Sequence, residues 1–346
     1  MESKLVDLED REILMAGAEL FADMKREIRK VVYGDESETV IDGVLITIIG
    51  GWDAYLLAKV GLGKTLLCLA VARALNAKFH KIDGQPDLLP KDIAGFLWFN
   101  QATREFEVIF GPLADGANLV LYNEINRVTP RTQAVALSAM EERTVSIHTK
   151  EYPLPKVFSV LATANPQEVE GTYPLPEAQL DRFIMRFEIP YPSSKTVLEI
   201  LGDPDIHLPA YTRVLNRVEP VVGIDDILAL RKVIFRVVRG ERKINYYIDR
   251  LVRAILEYET VLGDKSEKEM IVDHISPRAA IALKNVASVC AFLGGRDYIT
   301  PEDVQRFFVA VTAHRTFLKP GAIIDPRRDI GPRTIAAEVL RDVEYD

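Results

Sequence analysis

The stretch DAYLLAKVGLGKTLLCLAVARALN, residues 53–76, decides how the rest of the chain is read. It opens on the apolar run Ala54, Tyr55, Leu56 and Leu57, which has the length and texture of a strand buried on both faces. A turn with glycines at 61 and 63 follows, and then Leu66, Leu67, Ala70, Val71, Ala74 and Leu75 recur at helical spacing. Strand, glycine-punctuated turn and helix, in that order, are the context of a phosphate-binding P-loop. Gly61 and Gly63 let the backbone curl until its N–H groups and the helix N-terminus face an anion. Lys64 is then placed to reach the β- and γ-phosphates, and the Thr65 hydroxyl to ligate Mg2+. The motif G-x-x-x-x-G-K-[ST] asks for glycine at position 58, where this chain has Ala58. A plain strand–turn–helix whose glycines only cap and turn is the alternative at this point.

Around that stretch the composition sets bounds. At 346 residues the chain has room for two domains, and 48% hydrophobic with 27% charged residues describes a globular protein with ample core. A formal charge of −8 argues against a broad nucleic-acid-binding surface. Cys68 and Cys290 fall in apolar helical patterns and read as small core residues in a reducing compartment. The N-terminus, MESKLVDLEDREI, lacks the basic-then-apolar pattern of a signal peptide, and no apolar run nears the roughly 18 residues of a membrane helix. The expectation is a cytoplasmic, soluble protein.

Taken in order, residues 9–32 read as a helix with Ile13, Leu14, Ala18, Phe21, Met24, Ile28 and Val31 on one stripe, and a second helix carries Val44, Leu45, Ile48 and Ile49 up to Gly50. After the P-loop unit come a strand at 79–82 and an interrupted helix at 87–93. Over 95–110 the period changes to two, with Phe106, Val108 and Phe110 alternating with glutamates, which predicts a β-hairpin. A strand at 118–122 ends on Asn123 and Glu124; Thr129-Pro130 opens a helix to about residue 143; and 144–153 reads as a second hairpin. A strand at 158–163, a helix at 177–185 and a strand at 187–189 complete the predicted α/β domain, 1–192. Residues 193–221 read as a linker, 222–318 as a lid without strands and 319–346 as a tail ending in a short helix. Thr300-Pro301-Glu302-Asp303 predicts a sharp helix start.

Ligands bind at the carboxyl ends of the strands in such sheets. Here those ends carry the P-loop, Asn123-Glu124 and Asn165. A glutamate just past a buried strand suits a base that polarises the water attacking a γ-phosphate, and Asn165 is placed to hydrogen-bond that water or the phosphate. LYNEINR (121–127), TQAVALSAMEER (132–143), VLATANPQEVEGTYPLPEAQLDRF (160–183) and SPRA (276–279) resemble the MoxR family of AAA+ ATPases, over residues 32–314. The resemblance implies a P-loop AAA+ three-layer αβα domain with a parallel sheet of order 5-1-4-3-2, two inserted β-hairpins and an all-helical lid. It implies homo-oligomeric rings, usually hexamers, that bind ATP or ADP with Mg2+ at subunit interfaces. Such rings act as chaperone-like ATPases, often with a von Willebrand factor A partner, in maturing complexes or inserting metal cofactors.

Carried over by position, Lys59, Val60, Gly61, Leu62, Gly63, Lys64, Thr65 and Leu66 form the nucleotide loop, and Glu124 is the Walker B catalytic glutamate. Asn165 matches sensor 1, Arg182 the arginine finger and Arg278 sensor 2, with Thr65 and Asn123 at the metal. A planar, always-charged guanidinium suits the charge on a transferring phosphoryl group. A local ion pair with Asp181 or Glu177 is the alternative for Arg182, and an exposed helix start for Arg278. Two departures stand out. The family has aspartate where this chain has Asn123, which keeps a carbonyl acceptor and loses the charge near Mg2+, and it has glycine where this chain has Ala58. The first reading is therefore an ATP-hydrolysing ring motor; the second is a nucleotide-binding ring scaffold that hydrolyses poorly; a nucleic-acid motor is disfavoured by the acidic balance.

Overall fold

The computed structural model describes residues 3–59, 61–167, 171–206, 212–261, 268–270, 272–319 and 331–345. Helix α1 (Asp10–Arg29) buries Ile13, Leu14, Phe21, Met24 and Ile28 along its predicted stripe. Helix α2 (Glu38–Gly50) is buried nearly all round and stops where Gly51 turns left-handed at φ 85°. Strand β1 (Ala54–Leu57) and helix α3 (Lys64–Ala74) flank the glycine turn, followed by β2 (Phe79–Asp83). The helix expected at 87–93 shrinks to α4 (Pro90–Ala94), because a proline is tolerated only in a helix's first turn.

The first hairpin forms as expected, with β3 (Gly95–Asn100) and β4 (Glu105–Phe110) antiparallel. Its aromatic residues stay exposed, among them Trp98 and Phe106. Strand β5 (Leu119–Asn123), helix α5 (Pro130–Glu142) and the second hairpin, β6 (Thr144–Ile147) with β7 (Lys150–Pro153), lead into β8 (Ser159–Ala164). The helix expected at 177–185 is only α6 (Glu177–Leu180), and Met185 instead begins β9 (Met185–Glu188). The reason lies outside the segment: the buried Arg315 side chain collects the carbonyls of Asp181, Phe183 and Ile184, so these cannot close helical turns.

The five strands lie parallel in the order β2-β5-β8-β1-β9, which is the expected 5-1-4-3-2 read from the other edge. Alternate strand residues face two separate apolar layers. Ala54, Leu56, Leu119, Leu121 and Leu161 face the layer of α1, α2 and α3. Tyr55, Leu57, Val120, Tyr122, Val160 and Ala162 face that of α5 and the second hairpin.

After β9 come α7 (Ser194–Gly202) and α8 (Thr212–Leu215), inside the segment expected to be a linker. Helices α9 (Ile224–Val237) and α10 (Arg242–Leu256) follow. The expectation of no strands beyond residue 222 is corrected by β10 (Glu259–Val261), β11 (Lys268–Met270) and β12 (Val272–Ile275). Helices α11 (Arg278–Leu293), α12 (Pro301–Arg306) and α13 (Phe308–Thr312) precede β13 (Thr316–Leu318), and α14 (Pro332–Asp342) is the expected terminal helix. Strand β13 pairs with β12 across forty intervening residues, and such short partners carry no readable period of their own. The capping box at Thr300 forms, its N–H donating to Asp303 Oδ2 at 2.8 Å. Most of the predicted extended tail at 319–332 lies outside the described residues. Both cysteines are buried and free, and burial pushes each thiol up to about 12.

Candidate functional site

A cavity of about 470 Å³ opens beside the glycine turn. On one side Gly61, Leu62, Gly63, Lys64, Thr65 and Leu66 line it, with Asn123 and Glu124 at the neighbouring strand end. Gly61 and Gly63 adopt φ of 86° and 73°, the left-handed region where a side chain is strained, so the curl requires glycine at both. Ala58 is not among the positive-φ residues; its N–H donates to Ala164 O at 3.1 Å, so glycine is not needed there. Lys64 is buried, and its Nζ donates to Ala58 O at 3.2 Å across the mouth of the loop. Lys59 is exposed and does not line the cavity, and Val60 lies outside the described residues.

The other wall is mostly apolar, with Val31, Val32, Val40, Ile189, Ile200 and Ile206 beside Tyr33, and Glu36, Ser37 and Thr196 are its polar members. A polar clasp that no sequence motif announced holds this wall. The Tyr33 hydroxyl donates to Asp203 Oδ2, and Arg217 donates to both Asp203 oxygens at 2.5 and 2.8 Å and also to Asp205. The Arg217 fork holds the Asp203 carboxyl well below its ordinary range, while burial and the adjacent Asp203 push the Tyr33 hydroxyl up to about 12. A lysine and a glycine turn at a helix N-terminus thus share the cavity with a mostly apolar wall, a combination suited to a nucleotide.

At the end of β5, Asn123 is fixed by two neighbours. Its Oδ1 accepts from Thr163 Oγ1 at 2.9 Å and its Nδ2 donates to Asp83 Oδ1 at 3.1 Å. Glu124 turns left-handed at φ 55°, unusual for a residue with a Cβ, and its N–H donates to the same Thr163 hydroxyl at 3.0 Å. Its carboxylate pairs with Arg127 Nε at 2.9 Å. Asn165, buried at the end of β8, accepts from Gln167 N at 3.2 Å and is not in the cavity lining.

The two arginines carried over from the resemblance are also absent from that lining. They share Glu141 instead. Arg182 Nη2 lies 2.7 Å from one oxygen of Glu141 and Arg278 Nη2 lies 3.5 Å from the other. Asp181 joins the cluster, 3.7 Å from Arg278 Nε and 2.9 Å from Arg315 Nε. Arg182 therefore pairs with Glu141, near the C-terminal end of α5, and not with the Asp181 or Glu177 that its sequence offers.

Comparison with known proteins bears on the whole arrangement. The family model described as "ATPase family associated with various cellular activities (AAA)" matches residues 54–185, and the AAA lid domain matches 264–332. The chain is 38% identical to the uncharacterized protein YeaC of Bacillus subtilis, over 82% of each chain. It is 32% identical to Chaperone MoxR1 of Mycobacterium tuberculosis, over 92% of this chain and 80% of the other, and 32% identical to Protein MoxR of Methylorubrum extorquens, over 86% and 88%. A solved structure from Cytophaga hutchinsonii, described as a candidate ATPase, superposes with a TM-score of 0.82 at 33% identity, over 97% of each chain. The chain belongs to the MoxR family of AAA+ ATPases.

Its sheet order, paired hairpins and lid are thus those of a MoxR-type AAA+ protein. Within that fold the residues that sequence reading missed are Asp83, the Tyr33–Asp203–Arg217 clasp and Arg315 with His314. Only Asp83 left a trace in the sequence: like Glu124, it ends a strand run with an acidic residue. The others come from segments far apart in the chain. No helix among the described residues is long and apolar enough to cross a membrane.

Proposed function

We propose that this chain is the subunit of a homo-oligomeric ring, hexameric by the family's habit, that binds ATP and hydrolyses it to ADP and phosphate to remodel partner proteins. The observation that carries the reading is the single cavity wall on which the left-handed glycines, buried Lys64, Thr65 and Glu124 converge. The oxygen donors there, Thr65 and Asn123, suit Mg2+, which keeps much of its water and binds through one or two protein groups plus phosphates. When bound, the ion supplies positive charge to the phosphate oxygens. Lys64 exchanges its bond to Ala58 O for a phosphate oxygen, and the apolar wall takes the base. Glu124 orients the attacking water and accepts its proton, on giving up Arg127. Asn165 holds that water from the neighbouring strand end.

Arg182 and Arg278, side by side on Glu141 and away from their own cavity, serve the nucleotide of the adjoining subunit. The α/β unit of residues 1–192 and the lid of 222–318, joined through 193–221 and followed by the tail 319–346, are the bodies that this cycle moves. The name of the mycobacterial relative supports a chaperone-like role, and the family resemblance suggests a von Willebrand factor A protein as one class of partner.

Lys64→Ala is expected to abolish ATP binding in calorimetry while leaving the thermal unfolding midpoint in place; unchanged affinity would sink the assignment. Asn123 favours a second reading, a nucleotide-binding scaffold with little hydrolysis. Steady-state phosphate release with Mg2+ separates the two: turnover supports the motor, and binding without turnover supports the scaffold.

A further inference from the structure

The uncharged residue at the end of β5 is not isolated from charge. The register of the sheet pairs Asp83 with Asn123, placing an acidic side chain at the end of the neighbouring strand. The Asn123 amide can point only one way there. A carboxylate only accepts, so Asn123 turns its NH2 toward Asp83, at 3.1 Å, and its oxygen toward the Thr163 hydroxyl, at 2.9 Å. The backbone holds the pair together. Gly84 N donates to Asn123 O at 2.7 Å, and a Cβ at Gly84 would come within 2.2 Å of Glu124 O, so the turn after Asp83 packs directly on the strand end.

We propose that Asp83 supplies the negative charge that Asn123 lacks, so that the acidic function of this strand end is divided between two residues: Asn123 lines the nucleotide cavity and Asp83 charges it from behind. The proposal rests on the nucleotide-binding reading and assigns Asp83 as a positioning residue for the Mg2+–nucleotide complex. A charged acceptor strengthens the hydrogen bond and pushes electron density toward the Asn123 oxygen. It also adds negative charge beside the cavity, in part screened because Asp83 is itself half exposed. Lys81 competes for Asp83 at 2.7 Å, but both side chains are over a third exposed, and such surface pairs are weak and screened. Among the described residues no group of three or more His, Cys, Asp or Glu side chains is placed to hold a metal ion. A divalent ion here would take most of its ligands from phosphate and water, which leaves charge as the chain's main contribution.

The test is a Mg2+ titration of ADP binding to the full-length chain by calorimetry, repeated with Mn2+ followed by electron paramagnetic resonance. Asp83→Asn is expected to raise the Mg2+ concentration for half-maximal enhancement of ADP binding about tenfold, the change one charge-assisted hydrogen bond carries. ADP affinity without metal and the unfolding midpoint stay where they are. The charge-swapped double variant Asp83→Asn with Asn123→Asp puts the carboxylate on the other side of the same bond and is expected to recover the wild-type Mg2+ dependence to within about twofold. A merely structural Asp83 would instead lower metal-free affinity and stability together, with no rescue by the swap, and that result overturns the proposal. So does an unchanged Mg2+ dependence in an Asp83→Asn chain that binds ADP. Failure of the wild-type chain to bind ADP at any Mg2+ concentration is a different failure: it removes the nucleotide reading itself, and this proposal with it.

Discussion

Glu124 shows how one side chain is prepared by its surroundings. Its backbone is left-handed at the end of β5, the Thr163 hydroxyl accepts from its N–H, and Arg127 pairs with its carboxylate. In the proposed role of general base, a positioned carboxylate contributes about 10²–10⁴-fold to rate. Glu124→Gln, which keeps the shape and loses the base, is therefore expected to bind ATP within about threefold of wild type while phosphate release falls at least about a hundredfold. An unchanged rate in a stopped-flow phosphate assay would remove Glu124 from the chemistry.

At the scale of elements, the junction between the lid and the sheet turns on one buried arginine. Arg315, only 3% exposed in its side chain, closes an ion pair with Asp181 and donates to the carbonyls of Val311, Phe183 and Ile184. It thereby holds the loop that presents Arg182. Removing Arg315 takes the donor from those buried carbonyls, while Asp181 keeps the Ser276 hydroxyl and the nearby Arg278, so Arg315→Ala is expected to lose about 1–3 kcal/mol in urea unfolding. Burial and the adjacent Arg315 cation hold His314 well below its ordinary value of 6.5, so it stays neutral in the folded chain. The unfolded chain then binds one more proton as pH falls below about 6.5. The stability this provides is complete above that pH and is lost on going lower, at ~1.4 kcal/mol per pH unit. Unfolding at pH 7.5 and 5.5 should show this loss in the wild-type chain and a smaller one in His314→Gln.

For the molecule as a whole, the separation of Arg182 and Arg278 from their own cavity is the consequential feature. If they serve a neighbour, Arg182→Ala subunits bind ATP with unchanged affinity and hydrolyse it slowly. Mixing them with Glu124→Gln subunits then restores part of the activity, since some interfaces in a mixed ring combine an intact arginine with an intact base. No recovery in assemblies shown by mass photometry to be mixed would count against Arg182 acting on a neighbour's nucleotide.

What the sequence determined by itself is what short range encodes. The P-loop turn, the buried strand runs, both hairpins and the Thr300 cap follow from glycine conformation, hydrophobic period and local hydrogen bonding, each complete within a dozen or so residues. The family motifs then brought the sheet order with them. Tertiary structure alone decided the features that join distant segments. Arg315 cut the predicted 177–185 helix short by taking its carbonyls, β12 found β13, and Tyr33 met Asp203 and Arg217. Asp83 came to rest against Asn123 for the same reason. Strand register places side chains from remote segments a few ångströms apart, and no local pattern in either segment records which partner that will be.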